Sequence, residues 1–423
     1  MSGAVRTADV AVVGGGPAGS AAAITLARAG RSVVLVDKAT FPRDKCCGDG
    51  LTTGALRRLE ALGLRPQSVR SWFPVADVHV RGPAGHAVVF PLPRHSGLYA
   101  AVARRADLDA ALLDVARRQG VEVHDGCGLR AAQVHGGGDS VVLDVDGLGP
   151  VRARYAIGAD GMWSRLRKSL ATREDDGHDE AYLGEWHAFR QYFTGVSDVA
   201  ATELWVWFEP DLLPGYAWSF PLGDGRANVG FGVQRTAGVS VQVMKAQWAD
   251  LLARPHVRAA LGDHARPEAP HKAWPIPARV HRTALSAAGG RALFVGDAAR
   301  ATDPMTGEGI GQALETGVLA AEAVLAAGAL APERAASAYQ SMVRAGLAVD
   351  NRLAGRLSAM GIAHRKGLRA TLRLAGATGW TRRNFARWLF EDYPRAVVVT
   401  PHRWHRGMFS GAGAYRPRLA QGR

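Results

Sequence analysis

The chain has 423 residues, 47% hydrophobic and 21% charged, with a formal charge of +14; that is too long for one small core and too apolar for a disordered chain. The charge invites nucleic acid, but 46 of the 52 basic residues are Arg, as a GC-rich codon bias gives, and the excess is local: Arg344 to Arg423 holds 16 Arg plus Lys against three acids. The first 343 residues are close to neutral, which argues against a basic nucleic-acid fold and leaves a basic C-terminal segment, read as solvated surface or, more sharply, as a contact for an anionic membrane or a substrate phosphate.

In chain order, "ADVAVVGGGPAGSAAAITLARAGRSVVLVDK" predicts a strand, a glycine turn, a helix over Ala18 to Ala29 stopped by Gly30, and a second strand. No secretory signal is expected before this first motif, which begins at Asp9. The loop "FPRDKCCGDG" follows, with two adjacent cysteines that could be a disulfide half, metal ligands, a reactive thiol or part of a tight turn. With only Cys127 besides Cys46 and Cys47, the count is odd and no disulfide framework is expected, which implies a reducing, cytoplasmic setting. "GALRRLEALG" predicts a helix, "VADVHVRGPAGHAVVFPL" a hairpin, and "RADLDAALLDVARRQG" an amphipathic helix before the strand "VEVHDG". "SVVLDVDG" and "VRARYAIGADG" are further strands, and Tyr182 to Gly232 reads as aromatic β material. "RALFVGDAARATDPMTGEGIGQALETGVLAAEAVL" returns to strand, loop and long helix, and the tail from about Glu333 is helical by pattern. The longest apolar run is short and broken by Glu322, so no bilayer span is expected and a hydrophobic substrate would be collected from a membrane surface or a partner.

This order predicts an α/β fold. A Rossmann-like dinucleotide-binding domain comes in three parts, 1–75, 99–178 and 279–330. An inserted, mostly antiparallel β-sheet substrate domain takes 76–98 and 179–278, and a basic helical C-terminal region takes 331–423.

Three motifs carry chemistry. Gly14, Gly16 and Gly19, with Pro17 and Ala18 between them, fill the positions where a backbone approaches a pyrophosphate at a helix N-terminus. Asp37, followed by Lys38, ends the second strand 18 residues after Gly19, where a carboxylate accepts ribose hydroxyls. "HGGGDS" has no helix after it and reads as a hairpin turn. The second motif is Gly158, Asp160, Gly161, Ser164 and Arg165. The third runs from Gly296 and Asp297 through Pro304, Gly307, Gly309, Ile310 and Gly311: a strand end presents Asp297 to a polyol, and the glycine turn opens a helix toward something electron-rich.

In this order the three motifs resemble the FAD-binding pattern of the flavoprotein hydroxylase superfamily, which has the fold of para-hydroxybenzoate hydroxylase. "ARRADLDAALLDVA" resembles that superfamily's R-x-x-[FL]-D helix and implies Arg105 near the cofactor. "FPRDKCCGDGLT" and "PGYAWSFP" are similar to the cysteine-loop and Y-x-W-x-F-P motifs of geranylgeranyl reductases, over about residues 8 to 330. The resemblance implies FAD, held by the residues above together with Arg43, Cys47 and Gly48, and puts the cysteine loop beside the flavin. Cys47 falls on the family cysteine, while Cys46 stands where the family usually has proline. A Cys47 thiol would donate a proton or shape the pocket, or else merely fill a buried turn; Arg43 and Lys45 are expected to keep the field positive and to depress its pKa. No metal site is expected, because adjacent cysteines rarely share a zinc and no histidines complete one. Tyr216, Trp218 and Phe220 fall on one face of a strand and, with Trp207, are expected to wall an apolar substrate pocket, the alternative being plain core.

Two enzymatic readings follow. One is saturation of a double bond in a hydrophobic, isoprenoid-type substrate by hydride from reduced FAD. The other is an NAD(P)H- and oxygen-dependent monooxygenase acting on a prenylated or polycyclic substrate. Both need NAD(P)H as a transient reductant, or a reductase partner, since only one dinucleotide fingerprint is present. A prenyl-binding escort without catalysis is the third reading, disfavoured because the glycines and Asp297 are intact. The expected location is the cytoplasm, with the basic C-terminal region as the candidate for peripheral membrane contact.

Overall fold

The computed structural model describes residues 5–170, 182–235 and 241–416. Among these, the first sheet has eight strands. Its main order is Ser286–Ala287, Ala292–Phe294, Gly149–Gly158, Arg6–Val13, Val33–Asp37 and Glu122–Asp125. Arg6–Val13 pairs in parallel with both of its neighbours, as α/β units require. The hairpin Leu129–Val134/Val141–Val145 adds to Gly149–Gly158, and "HGGGDS" is its turn. Alternation decides what each residue meets: Val10 and Val12 face helices, while Ala11 and Val13 face the hairpin with Leu129 and Leu143. With both faces covered, every residue of Val33–Asp37 is buried.

The glycine-turn helix Pro17–Arg28 packs directly on the helix Ile310–Ala327. A Cβ on Gly317 would lie 2.2 Å from the Ala18 carbonyl oxygen, so the two backbones touch. By length and composition Ile310–Ala327 is apolar enough to cross a membrane, which the sequence reading denied; here it is a mostly buried core helix.

The second sheet also has eight strands among the described residues. Trp186–Thr194, Arg226–Gln234, Tyr216–Gly223 and Leu204–Trp207 are successive antiparallel neighbours. Asp77–Arg81 joins Leu204–Trp207 in parallel and pairs with Ala87–Pro91. One face packs Phe189, Trp207, Val229 and Phe231 against Met244, Trp248 and Leu251 of the helix Val241–Ala253. The other face turns toward the first sheet.

The C-terminal segment corrects the expectation of a solvated appendage. Its helices Pro332–Ala345, Leu347–Leu357, Arg365–Gly376 and Gly379–Leu389 wrap the body. Leu368, Leu372, Ala375 and Ala386 are buried with Val78, Val80 and Phe90. Net charge reports only the outer face of an amphipathic helix; the apolar stripe decides where it sits.

Candidate active site

A cavity of about 1450 Å³ runs between the two sheets and ends under the C-terminal helices. At one end lies the glycine turn. Gly14 has φ of +109°, and a Cβ there would sit 2.2 Å from the Ala159 carbonyl oxygen; on Gly19 it would sit 1.8 Å from the Gly14 oxygen. Only glycine allows this close crossing of loop, strand and helix. Gly16 faces two guanidinium groups instead: Arg43 Nη2 and Arg105 Nη2 lie 3.5 and 3.8 Å from where its Cβ would be.

Those arginines converge on a single buried carboxylate. Arg105 forks onto Asp109 through Nε and Nη2 at 2.9 and 2.8 Å, and Arg43 Nη1 approaches it at 3.1 Å. Two cations on one anion leave one positive charge beside the glycine turn, matched to an anionic group held there. Asp160 adds a second vacancy in the polar accounting: its Oδ2 accepts from Leu166 N at 3.1 Å, while its buried Oδ1 has no protein partner. Burial pushes its carboxyl above the usual range. An orphaned buried oxygen is a place for a ligand's donor. The cradle, the surplus cation and the open acceptor fit a dinucleotide such as FAD.

Asp37, expected to meet ribose hydroxyls, accepts from Gly15 N at 2.7 Å and Ala39 N at 2.8 Å. It ties the second strand to the glycine turn and still lines the cavity, as do Lys38, Gly161, Gly296, Gly307, Gly309 and Ile310. Asp297 lies 3.5 Å from Lys45 Nζ, which sits 4.4 Å over the Trp274 ring. Pro304 is not in the cavity wall; it packs on Gly355 behind the loop.

The cysteine loop lines the junction of the two sheets. All three cysteines are free. Burial pushes the Cys47 thiol up to about 11 despite Arg105, and the Cys46 thiol up to about 12. The expected depression fails because Arg43 and Lys45 are each committed to a carboxylate, leaving desolvation to win. Cys47 is a neutral thiol, accepting from Asp49 N at 3.3 Å. Asp49, fully buried with φ of +65°, anchors the loop: Tyr192 Oη donates to it at 2.6 Å and Asn228 Nδ2 at 2.8 Å. Asn228 also donates to the Cys47 carbonyl at 2.9 Å and accepts from Trp218 Nε1 at 3.2 Å. Burial raises Asp49 to about 6.

Tyr216, Trp218 and Phe220, put on one face by their spacing, line the cavity, the outcome that the resemblance implied over plain core. Trp218 lies flat because its strand partner is Gly230, where a Cβ would strike the ring at 2.3 Å. Phe220 is the nearest group to both Gly48 and Gly50. Trp207 is misplaced in the sequence reading. It is 1% exposed and packs into the opposite core, because alternation turns Leu204, Val206 and Phe208 to the cavity and Trp205 and Trp207 away. Beyond the aromatic row the walls are apolar: Val78, Val80, Leu368, Leu372, Phe385 and Phe390.

Sequence reasoning missed a half-buried acidic group where the loop after Asp303 meets the C-terminal segment. Glu308 lines the cavity, and its Oε1 accepts from Gly311 N at 2.7 Å. Glu391, from the C-terminal segment, binds Thr52 Oγ1 at 3.1 Å and Gln312 Nε2 at 2.7 Å. The side chain that Gly311 lacks would meet Glu308 Oε1 and Glu391 Oε2, each at 3.4 Å. Arg395 lies 3.5 Å from both Asp303 and Glu391. Burial, then the charge of Glu391, raises Glu308 to about 8. The one available signal was the acid between two glycines in "GEG". Among the described residues no cluster of His, Cys, Asp or Glu is placed to hold a metal ion.

A family model described as an FAD binding domain matches residues 7–343. Menaquinone reductase of Mycobacterium tuberculosis is 38% identical over 339 residues, 75% of this chain and 76% of its own. Digeranylgeranylglycerophospholipid reductase 1 of Methanopyrus kandleri is 31% identical over 337 residues, 75% of this chain and 80% of its own. A solved geranylgeranyl bacteriochlorophyll reductase-like protein of Thermoplasma acidophilum shares the fold with a TM-score of 0.75 at 21% identity, covering 95% of this chain and all of its own. The chain therefore belongs to the FAD-binding-domain flavoproteins, and within them to the geranylgeranyl reductase-like oxidoreductases.

Proposed function

We propose that this flavoprotein saturates a carbon–carbon double bond in the prenyl chain of a hydrophobic substrate. The observation that carries the reading is the continuity of the cavity. One space of about 1450 Å³ joins the glycine-turn end to the apolar chamber walled by Val78, Val80, Leu368 and Leu372. A chamber of this kind takes a flexible hydrocarbon chain, and its few polar groups lie at the end where the flavin would sit. Relatives named for menaquinone and for a digeranylgeranyl lipid, both prenyl-bearing molecules, support the same substrate class. FAD would be held by the glycine turn, Asp37, Arg43, Arg105, Asp160 and the Gly296–Asp297 turn. When bound and reduced it supplies a hydride. The protein's own part is to seat the chain between Tyr216, Trp218, Phe220 and the Cys47 loop, and to keep water from the double bond. NAD(P)H or a reductase partner supplies the electrons.

The helix Arg365–Gly376 supports collection from an anionic membrane surface. Its inner face lines the chamber with Leu368 and Leu372 while Lys366, Arg369 and Arg373 face out. Met360, Leu374 and Trp380 nearby are 78%, 72% and 67% exposed. Basic groups beside exposed apolar ones fit a lipid headgroup layer.

The test is a single turnover. FAD-loaded protein is reduced with dithionite and mixed, without oxygen, with a menaquinone carrying a short prenyl chain or with a geranylgeranyl lipid. The expected result is flavin reoxidation and a product that has gained two hydrogens on the chain. No reoxidation without oxygen, with a product carrying one added oxygen atom once air is admitted, overturns it in favour of oxygenation.

A further inference from the structure

Saturating a double bond takes a proton as well as a hydride, and the groups beside the cysteine loop divide sharply as proton sources. The Cys47 thiol is held neutral by burial. The Tyr216 phenol is pushed up by burial and by the charges of Glu308 and Asp303, and its hydroxyl donates to the Thr306 carbonyl. Both keep their protons near neutral pH and are far weaker acids than a carboxyl. On the loop after Asp303 the situation is reversed. Three carboxyls, buried Asp303 and half-buried Glu308 and Glu391, surround one guanidinium, that of Arg395. The other nearby cation, Arg58, is paired with Glu315 at 2.6 Å. Three negative charges cannot be held there against one positive charge, so the cluster keeps a proton.

The positions decide which carboxyl keeps it. Asp303 accepts from Met305 N and Thr306 N at 2.9 and 2.8 Å and faces Arg395 Nε at 3.5 Å, so both of its oxygens are already engaged. Glu391 accepts from Thr52 and from Gln312 and lies 3.5 Å from Arg395, which partly offsets the upward push that burial gives its carboxyl. Glu308 has the single donor Gly311 N, and among the described residues no cation pairs with it. It alone of the three lines the cavity.

We infer that Glu308 is the proton donor of the site, kept protonated by the Glu391 carboxylate that the C-terminal segment brings beside it. The inference rests on the proposed double-bond reduction. As the hydride adds to one carbon, the Glu308 O–H bond breaks and a C–H bond forms at the neighbouring carbon. Glu308 is left as a carboxylate, and solvent returns its proton. The two electrons come with the hydride from reduced flavin, so the step needs no further reactant.

The test uses the FAD-loaded full chain and two variants, Glu308→Gln and Glu391→Gln. Gln keeps an acceptor for Gly311 N and so spares the loop. Infrared difference titration reads protonated carboxyls whether or not the protein turns over. The expected result is a protonated-carboxyl component that titrates near pH 8, above that of Asp49, and that E308Q abolishes. E391Q should move its titration to lower pH, because the repelling charge is gone. In the anaerobic single turnover with the geranylgeranyl lipid, which has no quinone ring to take the electrons, E308Q should slow flavin reoxidation about 10²-fold, while dithionite reduction and flavin binding stay unchanged. That component persisting in E308Q, or reoxidation in E308Q at the wild-type rate and pH profile, overturns the assignment. If wild-type flavin is not reoxidised at all, the reduction reading fails instead, and the band still reports whether Glu308 holds the proton.

Discussion

At the scale of single residues, the site turns on which groups are charged. Cys47 looks like the catalytic group in the motif, yet the cations that should activate it are bound to Asp109 and Asp297. We therefore expect Cys47→Ser to lower turnover by less than about tenfold and to leave its pH profile unshifted, since a general acid is worth about 10²–10⁴. Steady-state rates across pH check this. Stability should report the buried acids too. Burial raises Asp49 to about 6 and Glu308 to about 8. A carboxyl with a raised folded-state pKa binds its proton more tightly in the folded than in the unfolded chain. Its contribution is present at low pH and is lost as pH rises through the folded-state value. These two groups should thus lower wild-type Tm from about pH 4 to about pH 8, and less steeply in E308Q, where only the Asp49 part, complete near pH 6, remains; thermal melts read the difference.

At the scale of elements, glycines set how closely the parts approach. Gly19→Ala would drive a methyl group to 1.8 Å from the Gly14 carbonyl oxygen, so strand and helix must part where the coenzyme's phosphates would sit. The expected outcome is a folded but colourless protein, seen as loss of flavin absorbance per mole of chain. This part of the site was legible in the sequence because backbone contact admits one residue type, and the spacing of Gly14, Gly16 and Gly19 announces it. The aromatic row was legible in part. Tyr216, Trp218 and Phe220 share a face by alternation, but which face of Trp207's strand meets the cavity is fixed by helices from elsewhere in the chain. Asn228 and Tyr192 meet Asp49 across 179 and 143 positions, and Gln312 meets Glu391 across 79. No local pattern encodes such partners, so the polar support of the loop and the acidic cluster stayed hidden.

At the scale of the whole molecule, charge and shape work together. The chamber wall is the inner side of a helix whose outer side carries Lys366, Arg369 and Arg373. Binding to phosphatidylglycerol vesicles should weaken as salt rises. Replacing Arg369 and Arg373 by Glu should cost at least about 1 kcal/mol per charge removed, with phosphatidylcholine vesicles hardly bound by either form. Co-sedimentation measures both. Sequence composition revealed the basic excess but misjudged its meaning, because a count of arginines is blind to Leu368 and Leu372 on the inward side.

The contribution of Glu391 divides the site along the sequence. Every group assigned to the nucleotide cradle precedes residue 343, the end of the FAD-domain match, whereas Leu368, Leu372 and Glu391 follow it. Coenzyme and hydrocarbon are thus served by separate stretches of sequence, and side-chain changes in the later stretch should alter which chain is accepted while leaving the bound colour intact.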